Sequence, residues 1–464
     1  MTGAEYRDVS FWLEQAGDLR PRVGLDGSVE ADVAVLGAGF TGLWTARELL
    51  AREPSLRVVV CEAEIGGYGA SGRNGAWCVA GLGATVGELV RRFGAPVARK
   101  VTEVIRGTVD EVGRAAAEDG IDAGYAKTGV LRVARGRHEA PGVRAAYDQR
   151  LALGLGEGLE LLDRDQLADR VRVARAELAL ADPHGAVVHP GRLVRGLARA
   201  VEARGAVVHE RTPVTAVVPR RGAARPRLRT ARGDVVADTV VLAGEAYLTR
   251  LPGWRRRVLP VYSLIVLTEP IDDARWAEVG WAGRELLSSS RFTVDYLSRT
   301  EDGRILFGGR GAPYHYGSRI APDHDRHGPT HDLLRAQFAD WFPPLAGVGF
   351  THAWGGPVAM PRTWLPTFTH DPRSGIAAAY GYTGQGVAAA NLAGRILADL
   401  VTGAGDRWAD LPMVNRAPRR WEPEPVRWLA VRAMQRALQR LDDHGLATGE
   451  PPTGRTLAER LTRH

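Results

Sequence analysis

The sequence contains little that would support a disulfide, metal, membrane or nucleic-acid function. Its two cysteines, Cys61 and Cys78, cannot build a disulfide framework or a multi-thiolate metal site, so no metal is predicted. No run approaches the roughly 18 apolar residues of a membrane helix. The first 15 residues carry charges and lack the apolar core of a secretory signal, which predicts a cytoplasmic protein. No basic block with interleaved aromatic residues indicates nucleic-acid binding.

Lysine is also scarce, whereas arginine and glycine are abundant. Lys100 and Lys127 are the only lysines among 61 basic residues, and the net charge is +7. The arginines are scattered, which indicates a compositional bias more than a binding patch. The length of 464 residues with 45% hydrophobic residues is typical of a globular protein of two or three domains. Glycine is in excess, with 56 residues, and the excess clusters at 37–42, 66–83, 308–311 and 381–386.

The first glycine cluster lies in a strand–turn–helix–strand pattern. Residues 31–36 predict a buried strand, 43–52 a helix and 57–61 a second strand that ends at Glu62. In the turn, Gly37 permits a sharp bend, Gly39 lets the backbone approach a pyrophosphate, and Gly42 lets helix and strand pack closely. A carboxylate at Glu62 can accept the ribose hydroxyls. This unit predicts dinucleotide binding.

Four later regions extend the pattern. Residues 66–83 place Ser71, Arg73 and Asn74 between glycines, as a chain running along an extended cofactor would need. Residues 234–242 predict a return to the parallel sheet. Residues 259–312 are rich in aromatic and β-branched residues and predict an antiparallel sheet. A strand at 375–380, the glycine turn 381–386 and a helix at 387–402 repeat the first unit.

Together these motifs resemble a known family. VAVLGAGFTGLWTARELL, GASGRNG, DGRILFGG and GYTGQGV are similar to FAD-dependent amine oxidoreductases of the glycine oxidase, D-amino-acid oxidase and sarcosine oxidase superfamily, in particular the γ-glutamylputrescine oxidoreductase-like branch. The resemblance covers about residues 30–405. It implies an α/β plus α+β fold, in which a Rossmann-like FAD-binding domain carries an inserted antiparallel-sheet substrate domain. The segments would be 30–90, 183–258 and 350–405 for FAD, 91–182 and 259–349 for substrate, and 406–464 for a C-terminal helix and tail.

The resemblance also implies which residues bind FAD. The glycine turn and Glu62 would hold the pyrophosphate and ribose, the GASGRNG stretch would line the approach to the flavin, and the last turn would face the flavin pyrimidine edge. The implied residues are Gly37, Gly39, Phe40, Thr41, Gly42, Glu62, Ala63, Ala70, Ser71, Arg73, Asn74, Gly75, Val214, Ala243, Gly244, Gly384, Gln385, Gly386 and Val387.

The reaction implied by the resemblance is oxidation of a small-molecule amine or amino acid to an imine, with O2 reduced to H2O2. A dehydrogenase that uses another acceptor, or a flavin-binding subunit without turnover, remain as alternatives. The catalytic candidates are Tyr262, Tyr296, Arg299, Arg310 and Trp354, with Arg362 and Trp364 as further pocket residues. Arg299 follows a position, Ser298, where the polyamine-type branch would place its arginine, so surface and pocket positions both remain open for it.

Three further features are open at this stage. Cys78 lies where one branch of the superfamily links its flavin covalently, although a buried structural thiol is the alternative. Neither lysine lies in a motif, so O2 activation would use another group. Residues 425–441 predict an amphipathic helix, which we expect to dock on the FAD domain, with a partner or membrane surface as the alternative. The sequence leaves the oligomeric state and the identity of the amine open.

Overall fold

The fold was analysed in a computed structural model, which describes residues 3–310, 313–456 and 458–459, except the side chain of Arg310. The strands are β1 (Val29–Glu30), β2 (Val33–Leu36), β3 (Val58–Cys61), β4 (Trp77–Val79), β5 (Val130–Arg135), β6 (Glu160–Asp163), β7 (Ala176–Asp182), β8 (Gly185–Val187), β9 (Val207–His209), β10 (Val214–Val218), β11 (Arg227–Thr230), β12 (Gly233–Val236), β13 (Thr239–Leu242), β14 (Val258–Thr268), β15 (Leu286–Ser289), β16 (Asp295–Arg299), β17 (Ile305–Arg310), β18 (Phe350–Pro361), β19 (Thr367–Asp371) and β20 (Ile376–Tyr380).

The helices are α1 (Gly3–Arg7), α2 (Phe11–Glu14), α3 (Phe40–Arg52), α4 (Val86–Phe93), α5 (Ala95–Glu118), α6 (Ala140–Ala152), α7 (Arg164–Arg170), α8 (Pro190–Ala203), α9 (Asp273–Val279), α10 (Gly328–Trp341), α11 (Gly386–Thr402) and α12 (Val426–Thr448). Among the described residues, no helix has the length and apolar character that crossing a membrane requires.

A parallel sheet carries both glycine turns. Its strand order is β19-β20-β13-β2-β3-β9, and every neighbouring pair except β19–β20 runs parallel. The predicted return of the chain at β13 is confirmed, because this strand lies between β2 and β20. Helices α3 and α11 pack side by side on the sheet, where Gly394 lies against the main chain and Cβ of the fully buried Trp44. Both glycine turns therefore open at the carboxyl edge of one sheet, where α/β folds bind ligands.

An eight-stranded sheet forms the second layer, with the order β18-β14-β17-β16-β15-β5-β7-β6. All its pairs are antiparallel except β15–β5, so the predicted antiparallel region is confirmed. Strand β18 pairs with β14 from Val258–Pro361 to Thr268–Phe350. The predicted segment boundary at residue 350 therefore falls before a strand of this sheet. Strand β15 was not predicted, because its sequence LLSS is only four residues long and half of it is serine, which has no strong preference for strands.

The C-terminal helix α12 packs differently from the expectation. Trp428 and Val431 pack around Leu259 and Met360 of the eight-stranded sheet. Near the end of the helix, the Asp442 carboxylate accepts hydrogen bonds from the backbone N–H groups before β16. The helix thus docks on its own chain as expected, but it contacts both assigned domains: Met360 lies in the predicted FAD segment 350–405, and Leu259 lies in the predicted substrate segment. The amphipathic pattern identifies an apolar face but contains no information about which surface it covers.

Candidate active site

One large cavity lies between the parallel sheet, the eight-stranded sheet and α12. Its volume is about 1320 Å³, above the roughly 300–1,000 Å³ of pockets that hold one drug-sized ligand. The first and last glycine turns, the GASGRNG stretch, one face of β14–β16 and one face of α12 all line it. The cavity can therefore hold an extended ligand and a second, smaller molecule together.

The first glycine turn has the backbone that the motif predicts. Gly37 has φ +102°, and a Cβ there would lie 2.8 Å from the carbonyl oxygen of Ala243. A Cβ on Gly42 would overlap the carbonyl oxygen of Gly37, so the close packing of α3 on β2 requires glycine. No described residue accepts a hydrogen bond from the N–H of Gly39 or Thr41. These N–H groups at the start of α3 are available to an anion.

Glu62 lies at the end of β3, on the cavity wall beside this turn. Its carboxylate accepts hydrogen bonds from the backbone N–H groups of Ala38, at 2.8 Å, and Glu64, at 3.0 Å. Burial raises the pKa of Glu62 to about 7, against the effect of these hydrogen bonds. A ligand hydroxyl that donates to this carboxylate would stabilise its charged form.

The GASGRNG stretch wraps the first turn of α3. Ser71 Oγ accepts a hydrogen bond from the N–H of Phe40 at 2.8 Å, and Gly39 leaves space for this hydroxyl. Arg73 is buried, pairs with Asp325 and lies over the ring of Tyr68 at 4.6 Å. The positive charge of Arg73 is therefore balanced by the protein.

The last glycine turn is tied to the first. Tyr382 hydrogen-bonds the hydroxyl of Thr41 at 2.8 Å, although the two residues are 341 positions apart. The Glu245 carboxylate accepts from the N–H groups of Gly381, at 2.8 Å, and Tyr382, at 3.3 Å. Burial raises the pKa of Glu245 to about 7. Sequence reasoning missed Glu245 and Tyr382 as links between the turns, although both lie in the motifs that it identified.

The predicted cofactor residues fit a dinucleotide. At the start of α11 the N–H groups of Gly386 and Val387 have no described acceptor, so the cavity has a second helix N-terminus. Gly42 lies behind the turn, and all the other predicted cofactor residues line the cavity: Gly37, Gly39, Phe40, Thr41, Glu62, Ala63, Ala70, Ser71, Arg73, Asn74, Gly75, Val214, Ala243, Gly244, Gly384, Gln385, Gly386 and Val387. Glycines that a Cβ would fill, free N–H groups and the Glu62 carboxylate together match the pyrophosphate and ribose of FAD.

The five catalytic candidates do not all lie in the cavity. Tyr296 lines the cavity, where its hydroxyl lies 2.9 Å from Ser263 Oγ and its ring lies against Gly75. Tyr262 is only 1% exposed and packs against His315 and His324, outside the cavity. Neighbours along a strand point to opposite faces, so Ser263 faces the cavity and Tyr262 does not. The prediction for Tyr262 is therefore corrected.

Arg299 and Trp354 also lie outside the cavity lining. The Arg299 guanidinium lies 3.8 Å from the ring centroid of Trp276 and donates to the carbonyl oxygen of Trp281 at 2.8 Å. Trp354 donates to the carbonyl oxygen of Arg73 at 2.9 Å and supports the GASGRNG stretch from behind. These contacts give both residues structural roles. The side chain of Arg310 lies outside the described residues.

Two further expectations concern the pocket wall. Arg362 and Trp364 line the cavity as expected. Trp77 and Val79 of β4 line it too, whereas Cys78, between them, is fully buried in the core beneath α11. Burial raises the pKa of the Cys78 thiol, which disfavours the reactive thiolate. The structural alternative for Cys78 is thus favoured over a covalent flavin link.

Sequence reasoning missed several cavity residues. Arg132 on β5 and Ser288 on β15 line the cavity, as do Val431, Met434 and Leu438 of α12. The alternation of β5, in which Leu131 and Val133 are buried in the core of the sheet, could have assigned Arg132 to the other face. No sequence signal places α12 against that face.

Comparison with known proteins defines the class to which this fold and cavity belong. The family model of the FAD dependent oxidoreductases (DAO) matches residues 32–400, and the chain belongs to this family. Its cofactor is therefore FAD.

Within the family, the chain is similar to several individual proteins. The chain is 30% identical to gamma-glutamylputrescine oxidoreductase of Escherichia coli over 414 residues, which cover 87% of this chain and 92% of that protein. It is 31% identical to the probable oxidoreductase OrdL of Rhizobium meliloti over 402 residues, covering 84% and 88% of the two chains. The crystal structure of glycine oxidase from Geobacillus kaustophilus superposes with a TM-score of 0.67 at 23% identity, covering 81% of this chain and 95% of that one, and shares the fold.

Proposed function

We propose that the protein oxidises an amine or amino acid to an imine and passes the electrons to O2, which becomes H2O2. The observation that supports this most directly is the single cavity that joins the dinucleotide-binding turns to Tyr296 and Ser263 of the eight-stranded sheet. The two glycine turns and the GASGRNG stretch would hold FAD, and Tyr296 and Ser263 would hold a substrate, in this one space. The imine would hydrolyse to an aldehyde or keto acid after release.

The side chains of the protein would orient the substrate and control its charge. When bound, FAD supplies a two-electron acceptor for the hydride of the substrate α-carbon. Burial favours the neutral form of an amine, which is the form with a free electron pair, and the lining here includes Leu259, Val261 and Ile265. The Tyr296–Ser263 hydroxyl pair can hold a polar group of the substrate, and the N-terminus of α11 would stabilise negative charge that develops beside it.

The surroundings of the cavity favour O2 over a protein electron acceptor. One face of α12 lines the cavity, while Leu429 on its other face is 57% exposed, so the helix separates part of the cavity from solvent. A diatomic molecule passes such a wall more easily than a protein surface can approach through it. Lys100 and Lys127 pair with Asp410 and Asp110 away from the cavity, so lysine would not assist O2 reduction.

The visible spectrum of the FAD-loaded protein tests this proposal. Primary and secondary amines and amino acids are added in turn without oxygen, and air is then admitted. We expect one class to bleach the flavin and air to restore the colour with release of H2O2. Bleaching without recovery in air would replace the oxidase by a dehydrogenase, and a flavin that no amine bleaches would favour a non-catalytic flavin-binding subunit.

A further inference from the structure

Arg132 is a cation in the cavity that the protein does not neutralise. Its side chain is partly buried, and its Nε donates to Ser290 Oγ at 2.9 Å. Within the described part of the chain, no carboxylate oxygen lies within 4.0 Å of its guanidinium. A desolvated cation is costly unless an anion accompanies it, and burial accordingly lowers the pKa of Arg132.

The charged groups near Arg132 cannot supply that anion. Glu139 Oε2 already accepts hydrogen bonds from the N–H groups of Ser290, at 2.9 Å, and Arg135, at 3.2 Å. Its other oxygen lies 3.6 Å from His138 Nε2. Arg150 adds a second positive charge that disfavours the charged form of Arg132. The remaining hydrogen-bonding capacity of the Arg132 guanidinium is therefore available to a ligand.

The register of the sheet places Arg132 at a defined distance from the cofactor side. Tyr296 pairs with Gly308, and the antiparallel pair Leu287–Leu297 places Ser288 opposite Tyr296. Ser288 in turn pairs with Arg132. Arg132 thus shares a row and a face with Tyr296, two strands away, or about 10 Å between Cα atoms. Since the Tyr296 ring touches the GASGRNG stretch, Arg132 marks the distal end of the cavity.

Apolar side chains of α12 cover the space between these two ends. Val431, Met434 and Leu438 line the cavity along one stripe of the helix. The chain at 290–293, next to Arg132, is held to the same helix by Asp442, which accepts from Thr293 Oγ1 at 2.6 Å. The result is a passage between the cofactor-binding turns and Arg132. Helix α12 contributes this apolar stripe to its wall, together with the polar side chains of Arg432, Gln435, Arg436 and Gln439.

We propose that Arg132 is a distal anion subsite, which binds a carboxylate at the far end of an elongated amine whose chain lies under α12. The substrate class is accordingly an amine joined to a carboxylate by an aliphatic or similarly slender chain. This inference rests on the proposed function for the amine end, but the carboxylate end is testable without turnover. The guanidinium can bind both carboxylate oxygens in parallel.

The test uses hexanoate and its uncharged isostere hexanamide with the FAD-loaded protein. Binding is followed by the change in flavin absorption and by the thermal midpoint. We expect hexanoate to bind about 10- to 100-fold more tightly than hexanamide, which corresponds to one charge-assisted contact. R132M should abolish this preference while FAD stays bound. R132K, which keeps the charge without the planar fork, should retain part of it and provides the test if R132M fails to fold.

R299M is the matched control, because Arg299 lies outside the cavity lining, and it should keep the preference for hexanoate. Equal binding of hexanoate and hexanamide by the natural protein, or an undiminished preference in R132M, would overturn the subsite. Turnover is compared separately with 6-aminohexanoate and hexylamine. If hexylamine bleaches the flavin and Arg132 has no effect on either ligand pair, the proposed function stands and this inference fails. If the preference for hexanoate depends on Arg132 but the protein oxidises no amine, this inference stands and the proposed function fails.

Discussion

The two ends of the cavity are built from different parts of the chain. At the cofactor end the important groups are backbone N–H groups, glycines without a Cβ and the Glu62 carboxylate. At the proposed substrate end they are side chains of Tyr296, Ser263 and Arg132 on a sheet, and side chains of α12. The first end has little freedom to vary, because a Cβ at Gly37 or Gly42 meets backbone atoms. The second end can change by substitution of side chains on a constant backbone, as substrate differences within a family require.

The largest expected effect tests the rigidity of the cofactor end. Gly37→Ala places a Cβ 2.8 Å from the Ala243 carbonyl oxygen at φ +102°. We expect a loss of about 2–5 kcal/mol of unfolding free energy from strain and overpacking, together with loss of FAD. Urea unfolding and the flavin content of the purified protein measure both. Gly205→Ala is the control, because Gly205 has φ +98° with no atom within 4 Å of its Cβ position. If both variants lose FAD equally, the close approach to Ala243 is not the cause.

The second effect tests whether α12 belongs to the substrate end. Asp442→Ala removes the acceptor of the Phe292 and Thr293 N–H groups, at 2.9 and 3.0 Å. Buried donors left without a partner cost about 1–3 kcal/mol, so we expect α12 to detach more readily and KM to rise while FAD stays bound. Limited proteolysis and steady-state kinetics measure the two changes. Asp443→Ala alters an exposed neighbour that bonds Gln439, and it should behave as the natural protein. Unchanged protease sensitivity of α12 in Asp442→Ala would contradict the proposed docking.

A smaller effect separates two tyrosines by the face of the sheet that each occupies. Tyr296→Phe removes the hydroxyl beside Ser263 in the cavity, and we expect kcat/KM to fall about tenfold, equivalent to one hydrogen bond. Tyr262→Phe should leave kcat/KM unchanged, because this ring lies outside the cavity lining. Stopped-flow reduction of the flavin by substrate gives the comparison. Equal losses in the two variants would show that the sheet face does not define the substrate end.

The smallest effect concerns the titration of Glu62. Because burial raises its pKa from 4.5 to about 7, the folded protein without FAD binds a proton there that the unfolded chain releases. The corresponding stability is fully present below pH 4.5 and is lost as pH rises through 7. We expect Glu62→Gln to flatten this decline by about 1 kcal/mol, a value reduced because the carboxylate is open to the cavity. Thermal midpoints of the FAD-free protein between pH 5 and 8 measure it. An equally steep decline in the variant would assign the proton elsewhere.

The same contrast explains what could be predicted from the sequence. The residues of the first and last glycine turns were identified because their conformation is dictated locally, and the bond between Thr41 and Tyr382 shows that they meet. The faces of β14 could not be predicted, since Val261, Tyr262, Leu264 and Ile265 are apolar on both sides and show no alternation. The sequence does not distinguish Arg132 from the other arginines, because its place in the row of Tyr296 depends on the strand register. The position of α12 depends on tertiary contacts, such as that of Asp442, which leave no local pattern.

The pairing of α3 with α11 has a consequence for how the protein is made. About 330 residues separate the end of α3 from the start of α11, which takes roughly 17–70 s to synthesise at ribosomal rates. During that interval Trp44 lacks the helix that packs against its main chain and Cβ in the finished fold. The nascent chain therefore leaves this face of α3 without its partner helix, and we expect chaperones to bind there until α11 has emerged. FAD can be fully enclosed only after nearly the whole chain has emerged.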